Sequence, residues 1–135
     1  VKAAFVRRKE EYGMLWPGAI YDGAAALENY RRQITASADD LGIRVDLRPE
    51  PIFSPAEADA WLAEARTQKA DGLLVDLLDR QQHAWPTAAK AIESGIPSVI
   101  FAPVGAAFTT NTAPLARKNG GFICSTDDFR QAAWK

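Results

Sequence analysis

The sequence predicts an α/β protein of three layers, built on a doubly wound parallel sheet, and three observations carry that prediction. Short apolar runs alternate along the 135 residues with segments of helical spacing, the pattern of strands joined by crossover helices. The stretch 70–103, ADGLLVDLLDRQQHAWPTAAKAIESGIPSVIFAP, reads as strand, polar loop, helix, strand. Its two apolar runs are nearly continuous, as suits strands covered on both faces, and the connection has the dozen or so residues a right-handed crossover needs. Finally, Pro49 and Pro51 remove ladder donors from the second strand and place it at an edge. With right-handed crossovers, the five strands then take the order 2-1-3-4-5.

Each element follows from local chemistry. Residues 2–7 (KAAFVR) form a short apolar run fit for a central strand. Residues 8–22 (RKEEYGMLWPGAIYD) form a connector far longer than the usual 2 to 6 residues, with two tyrosines and a Trp-Pro-Gly turn. A helix over 23–41 follows, with Asp22 as N-cap, Leu27, Tyr30, Ile34 and Leu41 on one face, and Gly42 as its stop. In the second strand, 43–53, Ile43, Val45 and Leu47 alternate with Arg44, Asp46 and Arg48. Ser54-Pro55-Ala56-Glu57 combines a capping serine, a proline at N1 and a glutamate at N3, so it opens a helix that runs to about Lys69. Ala58, Trp61, Leu62 and Ala65 form its inward face.

The third strand, helix and fourth strand are those of 70–103, the helix closing at Ser94-Gly95. Residues 104–120 lack apolar periodicity and read as a loop with one short helical turn at most. Residues 121–125 (GFICS) make the fifth strand, and Thr126 or Ser125 caps a last helix with Asp127 and Asp128 in its first turn. The sum is a Rossmann-like (flavodoxin-like) lobe spanning residues 1–135.

Composition narrows the functional classes. A net charge of -1, with no clustering of basic and aromatic residues, speaks against a nucleic-acid partner. No stretch reaches the roughly 18 to 20 apolar residues of a membrane span. The single cysteine, Cys124, excludes an intrachain disulfide and a cysteine-based metal cluster. The opening on Val1 without an initiator Met, and the close in what reads as the second turn of a helix, suggest a piece of a longer protein. Any export signal would lie outside it, so the compartment stays open.

In a doubly wound sheet, ligands bind beyond the carboxyl ends of the strands, at the switch point between strands one and three. That rule selects the loops 7–22 and 79–85, with 103–111 beside them. The candidate ligand-binding residues are Arg7, Arg8, Tyr12, Trp16, Tyr21, Asp79, Arg80, Gln82, His83, Thr109 and Asn111. The arginines, Asp79 and Gln82 supply donors and acceptors for hydroxyls, while Trp16, Tyr12 and Tyr21 can stack on a sugar ring or plug the core beneath the loop. His83 is the only histidine, and with no Cys or second His to join it no metal site is expected. No nucleophile elbow, no P-loop and no G-x-G-x-x-G follows a strand, so neither a catalytic group nor a cofactor is assigned.

The sequence DGLLVDLLD, a polar loop and AAKAIESGIPSVIFAP resembles the N-terminal lobe of type I periplasmic sugar-binding proteins and the related repressor ligand-binding domains. That resemblance implies a small sugar-like ligand held between this lobe and a second, C-terminal one. A second resemblance is to the N-terminal domain of fucose and arabinose ketol-isomerases, which implies a metal site in other domains and none here. Either implies a lobe without chemistry of its own, and a homo-oligomer is compatible with both. A third reading is a flavodoxin-like regulatory or interaction domain, although RRKEEYG does not supply the Ser/Thr-rich phosphate loop expected for flavin.

Overall fold

Apolar runs without polar alternation become the middle of the sheet. The computed structural model describes residues 1–10, 22–79, 83–104 and 113–134, together with the backbone of 15–16 and 19–20. Along the chain these form β1 (Lys2–Val6), β2 (Leu15–Trp16), β3 (Ala19–Ile20), α1 (Gly23–Leu41), β4 (Asp46–Leu47), α2 (Pro55–Thr67), β5 (Leu73–Leu77), α3 (Ala84–Glu93), β6 (Ser98–Phe101), β7 (Gly121–Cys124) and α4 (Arg130–Ala133). Five strands make one parallel sheet in the order β4-β1-β5-β6-β7, which is the predicted 2-1-3-4-5 once the separate β2-β3 pair is set aside.

Strand alternation divides the core in two. Ala4, Val6, Leu73, Val75, Leu77 and Ile100 turn to the face covered by α2 and α3, where they meet Ala58, Trp61, Leu62, Ala88 and Ile92. Ala3, Phe5, Leu74, Leu78 and Phe101 turn to the other face, under Tyr30 and Ile34 of α1 and Ala132 of α4. At β7 the sheet and α3 approach so closely that a Cβ on Gly121 would lie 2.7 Å from Ile92 side-chain atoms.

The helix ends obey their capping chemistry. The Asp22 carboxylate accepts from the Ala24 and Ala25 N–H groups, and Gly42 ends α1 at φ 65. Ser54 Oγ accepts from Glu57 N at 3.3 Å, while the Glu57 carboxylate returns to Phe53 N at 2.8 Å, one residue before the cap itself.

Four expectations are corrected. The second strand pairs only over β4, with Ile52 making an isolated parallel bridge to Val6, because Pro49 and Pro51 interrupt the ladder between them. The connector 8–22, read as a loop, contains the antiparallel pairing of Leu15 with Ile20 and of Trp16 with Ala19. The last helix begins at Arg130 and not beside Thr126. Thr126 Oγ1 does accept from Asp128 N, but it closes a turn, and the Asp128 carboxylate then receives the Arg130 N–H at 3.1 Å. α2 also stops at Thr67, and Lys69 takes a left-handed φ of 52 on the way into β5.

Candidate functional site

The switch point lies where α1 and α3 leave the sheet for opposite faces, between the carboxyl ends of β1 and β5. The strands are held together to their last residues: Leu78 N donates to Val6 O at 2.9 Å, and Arg7 N to Ile52 O at 3.2 Å.

Arg8 reaches across the switch point. Its backbone N and its Nε donate to Asp79 Oδ2 at 3.1 and 2.7 Å, and Nη2 donates to Oδ1 at 3.3 Å. Asp79 is buried, so this charge-assisted fork is shielded from water on the carboxylate side. Arg7, on the other side of β1, is also buried. Its Nε donates to Arg8 O at 3.2 Å, and its guanidinium lies against Gly23, where an added Cβ would stand 3.6 Å from Cζ. The start of α1 is thereby packed directly on an arginine head group.

His83 occupies a different place. Its ring is buried at the turn before α3, with Nε2 3.1 Å from Ile52 O. A carbonyl can only accept, so Nε2 carries the proton in this contact. Ile52 O therefore joins the end of β1 to the start of α3 through two donors, Arg7 N and His83 Nε2.

Three side chains near the carboxyl ends bury polar atoms that have no hydrogen-bond partner among the described residues: the Asp76 carboxyl in β5, the indole N–H of half-buried Trp85 in the first turn of α3, and the hydroxyl of half-buried Ser125 just past β7. Complete burial pushes the Asp76 pKa well above the usual carboxylate range, because it penalises the charged form. A further buried donor, Trp61 Nε1, belongs elsewhere, beside Lys2.

No protein family, no curated protein and no solved structure matches this chain. Of the residues selected from sequence, Arg7, Arg8 and Asp79 meet at the switch point, and His83 packs behind them on the α3 side. Trp16 is placed by its backbone in β2, while Tyr12, Tyr21, Arg80, Gln82, Thr109 and Asn111 lie outside the described residues. Asp76 escaped selection because it sits inside an apolar run, LLVDLL. The available signal was a carboxylate in a strand covered on both faces. Ser125, offered from sequence as a cap, instead carries a hydroxyl without a partner among the described residues.

Two cavities lie away from the switch point. One of about 500 Å³ opens at the amino end of the sheet between α1 and α4, lined largely by apolar residues such as Ile34, Val45, Leu74, Val99 and Phe122. The other, of about 320 Å³, borders the cluster in which Lys2 Nζ donates to Asp46, Glu64 and Gln68. An ammonium has three donors, and that cluster uses all three. Among the described residues no group of three or more His, Cys, Asp or Glu side chains could hold a metal ion, and no helix is long and apolar enough to cross a membrane.

Proposed function

We propose that this chain is a recognition lobe for a small polyhydroxylated ligand of the sugar class, bound at the carboxyl ends of β1 and β5 and without a catalytic group of its own. The observation that carries the reading is two polar groups without a partner among the described residues at the carboxyl end of the sheet, the Trp85 N–H after β5 and the Ser125 hydroxyl after β7. One can donate and the other can donate or accept, as the hydroxyls of a sugar require. Orphaned polar groups cost free energy in the empty protein, and a ligand that pairs with them recovers it. The Arg8–Asp79 fork and the Arg7 head group on Gly23 add charged groups at the carboxyl ends of β1 and β5. The likeness of 71–101 to sugar-binding lobes points to the same class of ligand.

A thermal-shift titration against pentoses and hexoses tests the proposal. A saturable rise in Tm is expected with at least one sugar. Trp85→Phe should keep the fold and weaken that sugar about tenfold, the worth of roughly one hydrogen bond. No shift with any sugar, together with a shift for a flavin or nucleotide, overturns the reading in favour of a flavodoxin-like domain.

A further inference from the structure

β5 carries an acid into the α1 and α4 core. Its odd-numbered residues Leu73, Val75 and Leu77 belong to the α2 and α3 core, and Leu74 and Leu78 to the opposite one, so Asp76 faces α1 and α4. Its in-register neighbours are Phe5 on β1 and Phe101 on β6. The residue is 0% exposed, and neither carboxyl oxygen has a hydrogen-bond partner among the described residues. The cover above it is aromatic. Tyr30 of α1 meets the Phe101 ring edge-on at 5.2 Å, and Phe129 meets the same ring edge-on at 5.1 Å.

The charged and titratable groups on this face come from α1, the turn before α4, the residue after β1, and β7. α1 presents the Tyr30 phenol and Arg31, whose guanidinium lies 5.8 Å above the Phe5 ring. The turn before α4 presents Asp127, which acts on the Tyr30 phenol along with Asp76. β1 ends in Arg7 on the same face, and β7 contributes Cys124 at the border of the cluster. None of these groups makes a hydrogen bond to Asp76.

We propose that Asp76 is a proton-operated latch: protonated, it lets α1 and α4 close over the sheet, and loss of its proton to solvent opens that face. A carboxylate here would have neither water nor a hydrogen-bond donor, so its ionisation requires the cover to move. The sign of the linkage follows. An unfolded aspartate titrates near pH ~3.9. The closed state keeps its proton far above that, so over the intervening range it binds one proton more than the opened or unfolded chain. Its stability is complete at low pH and declines as pH rises toward the folded group's own titration.

The test compares the full chain with Asp76→Asn, a neutral group of the same shape, by urea unfolding from mildly acidic to alkaline pH. Because Cys124 is the only cysteine and borders this core, its rate of modification by a neutral thiol reagent reports opening of the face. The folding equilibrium constant of the native chain, divided by that of Asp76→Asn, should fall about tenfold per pH unit. The ratio of Cys124 labelling rates, native over variant, should rise with pH in the same range. The infrared band of a protonated carboxyl with no hydrogen bond should be present in the native chain at neutral pH and absent from the variant. Parallel stability curves, or no such band, overturn the proposal. If Asp76→Asn does not fold, the band in the native chain and the pH dependence of Asp76→Val decide it by the same criteria.

Discussion

Arg8 and Asp79 join the first residue pair beyond the point where β1 and β5 part, with Arg8 Nε 2.7 Å from Asp79 Oδ2. The contact fixes the mouth of the crevice from both strands at once. Removing Arg8 leaves a buried carboxylate without its guanidinium, a change that costs about 3 kcal/mol when the partner stays shielded from water. Arg8→Ala should therefore destabilise the chain by that order in urea unfolding. The double-mutant cycle with Asp79→Ala should return a coupling of at least about 1 kcal/mol. A coupling near zero would show the fork to be incidental.

Ser54 and Glu57 predict a smaller effect of known sign. Each satisfies a backbone N–H that the start of α2 leaves without a helical partner. Ser54→Ala should cost about 1 kcal/mol, and Ser54→Asp should restore most of it. Chemical denaturation of both variants checks the pair.

The approach of β7 to α3 leaves no room for a methyl group at Gly121. Gly121→Ala forces Ile92 aside and should lose about 1 to 3 kcal/mol, the usual range for overpacking a closed core. In the presence of Gly121→Ala, the further change Ile92→Ala should cost less than it does alone. Additive losses would place the strain elsewhere.

At the β4 edge, the Asp46 carboxyl is held below its ordinary value, first by the hydrogen bond from Lys2 and then by that group's charge. Its contribution to stability is present above the unfolded aspartate value of about 3.9 and is lost as pH falls through the folded one. Lys2 itself is raised: burial lowers it, but the hydrogen bonds to Asp46 and Glu64 prevail, so its contribution persists to strongly alkaline pH. Asp46→Asn should flatten the acid limb of the stability curve and leave the neutral region nearly level. Asp46 is mostly exposed, and screening keeps the effect small. An unchanged acid limb would remove Asp46 from the account.

The strand order was legible because it rests on signals that local chemistry imposes: apolar runs at Ala3–Val6 and Leu73–Leu78, prolines at 49 and 51, glycines at 42 and 95. The caps at Asp22 and Ser54 were legible for the same reason. The β2-β3 pairing was not, since its strands have two residues each and carry no periodicity. The late start of α4 was hidden as well. Thr126 has the right side chain for a cap, but it closes a turn ahead of Phe129, which packs on Phe101 and donates its backbone N–H to Gln33 of another helix. At the site, loop placement could be inferred from strand order, but not that Arg8 would spend itself on Asp79 or that His83 would turn to Ile52. Those choices depend on distances between segments more than 30 residues apart.

The division of the interior by residue parity sets a rule for how this chain can vary. In β5 each step along the strand changes core, so substitutions at 75 and 76 act on separate sets of neighbours. Deleting one residue inside β5 would do what no substitution can: it would trade the two sets, sending an acid among Trp61 and Leu62 and leaving aliphatic side chains beneath Tyr30. The central strand is thus intolerant of any change in count.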